Sequence, residues 1–283
     1  MSKRAEVIAA VRRSLPAATV PLRARAGARL AARDPRVRER ARRSMALLLD
    51  QVRPDADLDA LAERYLAYQA WQNEARWHHS LCGPLHVAGL DRLHAIPGGV
   101  VVSFLHHGPF LTIGSSLGRS GRDIQAIATP GLCGGRQAPW ERQTQAVAER
   151  DCHLFPVTEG SAGIRSRLEQ GSVVAVALDV PGRTPVTFLG KQLIGSSGAT
   201  RAAYATGCPV VNATMHRAAD GTPFYRLDEP LHPASFESPE AMLGELLRRQ
   251  EESVLAWPEA YYDPLTKWRL AEDLAAEHAD DRG

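Results

Sequence analysis

Apolar residues recur along this chain with two different spacings, and the change comes near residue 85. Before it, segments such as ARRSMALLLDQV and DADLDALAERYLAYQAWQNEARWHHSL place apolar residues three and four apart, the repeat of one helical face. Helices are predicted over residues 1–14 and 24–80, with Asp55 or Asp57 as a cap after Pro54. Trp71 and Trp77 fall in this last segment and read as packing anchors.

Beyond residue 85 short apolar runs alternate with amphipathic ones. LHVAGLDRLHAI reads as a strand and short helix, and GGVVVSFL as a continuous apolar strand of the kind buried on both faces. A helix is predicted from about Phe110, IQAIAT as a strand, RQAPWERQTQAVAERD as a helix and HLFPV as a strand. SAGIRSRLEQG follows as a helix closed by Gly171. SVVAVALD is a second buried strand, TPVTFLG a third, TRAAYATG a helix, CPVVNATMHR a strand and FYRLDEPL an edge strand. SPEAMLGELLRRQEESVLAWPEAY is an amphipathic helix capped by Ser238, with Glu240 in its first turn. This alternation predicts an α/β fold, an αβα sandwich with a largely parallel central sheet. Residues 1–80 are expected to form a basic helical extension, packed as one unit with an α/β domain over 81–283.

With 283 residues and 44% hydrophobic content, a sizeable core can form. Four cysteines, Cys82, Cys133, Cys152 and Cys208, show no CxxC pair or metal-like spacing, so reduced thiols are expected, with no metal and no cofactor. Runs such as VVVSFL are strand-length, too short to cross a bilayer, and the N-terminus lacks the apolar segment of a signal peptide. The expectation is a cytoplasmic protein, either free or peripheral at the inner membrane face. The net charge of +2 hides an asymmetry: residues 1–43 carry 13 Lys/Arg against 3 Asp/Glu, and the remainder 21 against 29. A basic arm on an acidic body fits either a solvated helical face or an anionic partner such as RNA, a carrier protein or an anionic membrane.

The candidate chemistry lies in SFLHHGPFLTIGSS. His106 and His107 follow a buried strand, and parallel α/β sheets bind ligands beyond the C-terminal strand ends. A neutral imidazole there can take a proton from an attacking hydroxyl or amine. Gly108 lets backbone approach a ligand, and N–H groups of the next helix could stabilise an oxyanion. Asp179 also follows a buried strand, so it could converge with His106 on one cleft, or it could be a turn residue in LDVPG. Arg183 and Arg150 are candidate anion binders, each also readable as a surface residue. GLCGGR lacks the ending of a nucleotide loop, whereas an anion could sit at the helix start in SSGATRAAYATG. Ser115, Ser116 and the cysteines lack the surroundings of a nucleophile elbow.

In order along the chain, five blocks resemble the lauroyl/myristoyl acyltransferases of lipid A biosynthesis and the related phosphatidylinositol mannoside acyltransferases. These are RRSMALLLDQVRPDADL, LHVAGLDRLHAIPGGVVVSFLHHGPFL, RLEQGSVVAVALDVPGRTPVTFLGKQL, SSGATRAAYATGCPVV and WPEAYYDPLTKW. The resemblance runs from about residue 40 to 270 and implies the lysophospholipid acyltransferase-like fold. It makes His106 the base that deprotonates an acceptor attacking an acyl thioester, without a covalent enzyme intermediate. It matches Asp179 to the aspartate of the family's "DQ" and Phe188–Gly190 to its "FFG" turn, and it places Arg150 near a family arginine. His107, Gly108, Arg150, Asp179, Arg183, Phe188 and Gly190 are accordingly the expected substrate contacts.

Two departures shape the functional expectation. The family pattern is His, four residues, then Asp or Glu, but the fifth residue after His106 is Leu111 and after His107 is Thr112. Another carboxylate substitutes, the acceptor needs little base help, or the protein is inactive; Leu111 is expected to mark an acid function that is lost. The lipid enzymes also carry a membrane-spanning N-terminal helix where this chain has an arginine-rich arm. The expected activity is acyl transfer from acyl-CoA or an acyl carrier protein to a hydroxyl, amine or hydroxylamine of a small-molecule or lipid acceptor. Transfer from aminoacyl-tRNA in specialised metabolism is the alternative, and a catalytically inactive ligand-binding homologue the second alternative.

Overall fold

The computed structural model describes residues 3–135 and 137–271; the arginine that ends GLCGGR lies outside them. Four helices come first: α1 (Lys3–Ser14), α2 (Val20–Ala31), α3 (Pro35–Leu49) and α4 (Leu58–Ala75). The helical segment expected over 24–80 is divided at Asp57, one of the two caps expected, and also at Asp34, which was not expected. Asp34 accepts the Arg36 N–H at 2.8 Å ahead of Pro35, and Asp57 accepts the Ala60 N–H at 3.0 Å after Pro54. α2 packs on α4 through Val20, Ala24 and Ala28, while α3 sends Met45, Leu48 and Leu49 into the main core.

The remaining elements are β1 (His86–Ala88), α5 (Asp91–Ala95), β2 (Val100–Phe104), α6 (Ile113–Gly118), β3 (Ile124–Ala128), α7 (Pro139–Ala148), β4 (His153–Pro156), α8 (Gly160–Glu169) and β5 (Val173–Ala177). There follow β6 (Thr184–Phe188), β7 (Lys191–Gly195), α9 (Gly198–Thr206), β8 (Val210–Arg217), β9 (Pro223–Leu227), α10 (Pro239–Ala256), α11 (Pro264–Lys267) and β10 (Arg269–Leu270).

The fold is an αβα sandwich around a seven-stranded sheet of order β1-β9-β8-β2-β5-β3-β4, whose five strands from β8 to β4 are mutually parallel. Every residue of β2 and β5 is buried. Their side chains alternate between two cores: Val101, Val174 and Val176 join the helices on one face, and Val100, Val102, Ala175 and Ala177 those on the other. A continuous apolar run is therefore what a strand at this position requires.

Three expectations change. TPVTFLG is not a third strand of the central sheet: β6 alternates buried and exposed residues and pairs antiparallel with β7, which in turn pairs antiparallel with β10, in a separate small sheet. β9 is not an edge strand, because β1 pairs with it in parallel and lies outside it. The helix capped by Ser238 ends at Ala256, since Trp257 precedes Pro258 and takes an extended φ of −147°. Among the described residues no helix is long and apolar enough to cross a membrane.

Candidate functional site

β2 and β5 are parallel neighbours in register, with Val100 opposite Val173 and Phe104 opposite Ala177. His106 and Asp179 each lie two residues beyond those paired ends. Leu178 N–H donates to Phe104 C=O at 2.9 Å, extending the ladder to the point where the two side chains emerge together. His106 Nδ1 lies 2.8 Å from Asp179 Oδ1, and His106 backbone N–H donates to Asp179 Oδ2 at 3.0 Å. The missing acid is therefore not lost. Asp179, 73 residues on, supplies a carboxylate to His106, and Leu111 is part of the lining of both cavities.

A second segment closes over this pair. Residues 260–262 run antiparallel to 106–108: Gly108 N–H donates to Ala260 C=O at 3.1 Å, and Tyr262 N–H to His106 C=O at 2.8 Å. The clamp brings in Tyr261, whose hydroxyl donates to Asp179 and accepts from Trp268 Nε1 at 2.9 Å. Lys267, at the end of α11, also arrives beside the pair.

Asp179 is fully buried. Burial alone pushes its carboxyl up, but the His106 charge, the His106 hydrogen bond, Lys267 and the Tyr261 hydroxyl together hold it below the usual carboxylate range. An ionised Asp179 can only accept, so His106 Nδ1 carries the proton, and whenever the ring is neutral Nε2 is its free lone pair. The ring is packed edge-on against Phe110 at 4.8 Å, and 17% of the side chain stays accessible. A base with a fixed tautomer on a cavity lining can remove a proton from a bound nucleophile.

Two cavities meet at this ring. His106, Phe110, Leu111, Thr129, Leu132 and Lys267 line both. The larger, about 770 Å³, is walled by Phe104, Ile113, Ile127, Leu154, Ile164 and Val176, with Arg183, Arg201 and the start of α9 also on its lining. The smaller, about 230 Å³, lies among Trp71, Arg76, Cys82, Trp140 and Tyr262.

The other expected site residues divide between lining and scaffold. Arg183 lines the larger cavity. His107 is buried with its Nε2–H donated to Trp257 C=O at 2.9 Å, and burial pulls its pKa down to about 4, so it ties the clamp to β2 as a neutral ring. Gly108 has φ +66° and an added Cβ would strike the Met215 side chain, so glycine is required for packing. Its N–H is engaged by Ala260, and the helix that follows the 3₁₀ turn is only six residues long, so no oxyanion donor is left at Gly108 itself. Arg150 points away, its Nη atoms 3.4 Å from the carbonyls of Cys82 and His79. Phe188 is buried 5.2 Å from the Trp268 ring, and Gly190 turns the β6–β7 hairpin at φ +76°; neither is on the lining of the two cavities at His106. Ser115 and Ser116 are buried and donate to Thr112 C=O.

Sequence reasoning missed Lys267, Tyr261 and Arg76, and placed Trp71 only as a packing residue although it lines the smaller cavity. Lys267 lines both cavities, and burial lowers its pKa while Asp179 and Asp263 raise it. Its only advance signal was its position in WPEAYYDPLTKW.

No protein-family model matches the chain, and no curated protein matches it. Among solved structures it is similar to the 1-acyl-sn-glycerophosphate (LPA) acyltransferase PlsC from Thermotoga maritima, at 15% identity and a TM-score of 0.41, over 77% of this chain and 95% of that one.

Proposed function

We propose that this chain is an acyltransferase that moves an acyl group directly from an activated donor to a nucleophilic acceptor. The observation that carries the reading is the Asp179-oriented His106, set where a large apolar cavity meets a small one. The larger cavity suits an acyl chain, and Arg183 and Arg201 suit the anionic carrier outside it. His106 Nε2 takes the proton of the acceptor's hydroxyl or amine as its oxygen or nitrogen bonds to the acyl carbon. The carbon–sulfur bond, or the ester bond of an aminoacyl-tRNA, then breaks, and the leaving group recovers that proton from the imidazolium. Lys267 is the cation that offsets charge on the carbonyl oxygen. Cys82 is a poor nucleophile because burial pushes its thiol up to about 11, in keeping with direct transfer.

The buried Asp179 supports an enzyme over an inactive binding homologue, because a carboxylate that fixes the tautomer of a cavity-lining histidine is what a general base requires. Exposed Arg25, Arg29 and Arg33 on and after α2, beside Leu22 and Leu30 that are 71% and 66% exposed, suit a donor carried on a polyanion or at an anionic surface. The test is release of free CoA, carrier protein or tRNA from the three acyl donors, with the wild-type chain and His106→Ala. A fall of about a hundredfold or more in the variant is expected; equal release from both would remove the base role.

A further inference from the structure

The smaller cavity holds a cation with no anion. Arg76, in the turn that ends α4, has a buried Nε that no group among the described residues satisfies. Its Nη atoms donate to neutral partners, Thr144 Oγ1 at 3.3 Å and Asn73 Oδ1 at 2.5 Å. Among the described residues it has no ion pair, and no Asp or Glu lines the cavity. Burial lowers its pKa, and it nevertheless stays charged at neutral pH. Arg23, partly buried beside α4, also has an unsatisfied Nε but differs in its counter-ion, Glu74 at 3.1 Å. Lys267 adds a second positive charge to the cavity wall, although Asp179 and Asp263 stand behind it.

We propose that the smaller cavity is the acceptor site and that its acceptor carries a carboxylate bound by Arg76: a compact amino acid or hydroxy acid whose amine or hydroxyl lies at His106. The acceptor's orientation rests on the acyl-transfer reading above; the carboxylate site does not. A partly desolvated guanidinium without a counter-ion is costly, and a planar carboxylate matches its fork and supplies one negative charge. The volume of about 230 Å³ is below that of cavities that take drug-sized ligands and fits a small metabolite. Trp71, Phe110, Trp140 and Tyr262 give it aromatic walls for the apolar remainder. A phosphate dianion would ask for more donors than Arg76 has uncommitted, and a lipid acceptor would exceed the space.

The test is direct binding of a matched probe pair, benzoate and benzamide, followed by calorimetry at pH 8. Benzoate is expected to bind at least tenfold more tightly than benzamide, to lose that preference in Arg76→Gln and to regain part of it in Arg76→Lys. Benzoate and not benzamide should also slow alkylation of Cys82, which lines the same cavity. Because this uses the wild-type chain, it decides the location even if Arg76→Gln fails to fold. Equal or absent binding of the two probes, a preference that survives Arg76→Gln, unprotected Cys82, or tighter binding of inorganic phosphate would each overturn the assignment. Donor release that depends on His106 but shows no carboxylate preference would leave the acyl-transfer reading standing without this one. Benzoate selectivity without donor release would do the reverse.

Discussion

His106 Nδ1 and Asp179 Oδ1 lie 2.8 Å apart across a separation of 73 residues, joined by the register of two neighbouring parallel strands. A helical turn would have supplied the acid locally; here the sheet supplies it. The carboxylate is buried, held by the His106 N–H and the Tyr261 hydroxyl, and cannot turn towards solvent.

Asp179→Asn should therefore leave the geometry but reverse the tautomer, since an amide nitrogen facing Nδ1 demands an acceptor there. We expect kcat for donor consumption to fall roughly a hundred- to ten-thousandfold with KM changed little. Leu111→Glu in the wild-type background should gain less than about threefold, because Nδ1 is already occupied, and a large gain would show that Asp179 does not serve as the orienting acid.

Lys267→Met should lower kcat by about a hundredfold, the scale of removing one oxyanion donor, and Lys267→Arg should restore part of it. Steady-state kinetics with a saturating donor separates this from a binding defect: a rise in KM alone would make Lys267 a substrate anchor and not an oxyanion partner.

The sheet was legible in the sequence because burial on both faces demands unbroken apolar runs, and VVVSF and VVAVA are such runs. The pairing of His106 with Asp179 was half legible. Each residue falls six positions after the first residue of its strand, but that equality has meaning only once β2 and β5 are known to be adjacent, and adjacency is a property of topology. The family spacing pulled the reading towards Leu111, where the acid was judged lost. Tyr261 and Lys267 were legible only as members of the block WPEAYYDPLTKW, with no role attached. Nothing in a Tyr or Lys identity foretells that Pro258 breaks α10 and that the chain then returns antiparallel across the end of β2. Phe188 and Gly190 lie in the β6–β7 hairpin, off the lining of the two cavities that meet at His106, because a hairpin turn and a cavity wall can share one sequence pattern.

His107 should give stability a distinct acid dependence. Its folded pKa of about 4 lies below its ordinary value of 6.5, so between those limits the unfolded chain binds a proton that the folded chain does not. Stability contributed by the neutral, buried ring is thus complete above about pH 6.5 and is lost as pH falls towards 4, by up to about 1.4 kcal/mol per pH unit. Urea titrations of wild type and His107→Gln over pH 4–8 should show the slope reduced by that amount in the variant, and parallel curves would contradict the assignment.

The arginines of the first helices are not equivalent. Arg23 and Arg12 pair with Glu74 at 3.1 and 3.6 Å and Arg40 pairs with Asp263 at 2.9 Å, whereas Arg25, Arg29 and Arg33 are exposed without acidic partners among the described residues. Replacing these last three with Gln should raise the donor KM several-fold at 50 mM salt and leave it unchanged at 500 mM, where the Debye length has shrunk to about 4 Å. An unchanged KM at both would make them a solvated helical face.

The tautomer of His106 tests the account most directly, because it needs no substrate. Long-range proton–nitrogen NMR correlation at pH 8 on the wild-type chain and Asp179→Asn reads which ring nitrogen bears the proton. The account predicts a protonated Nδ1 and an unprotonated Nε2 in the wild type, with the proton moved to Nε2 when Asp179 becomes Asn. A wild-type ring protonated at Nε2, or a tautomer indifferent to residue 179, would contradict it.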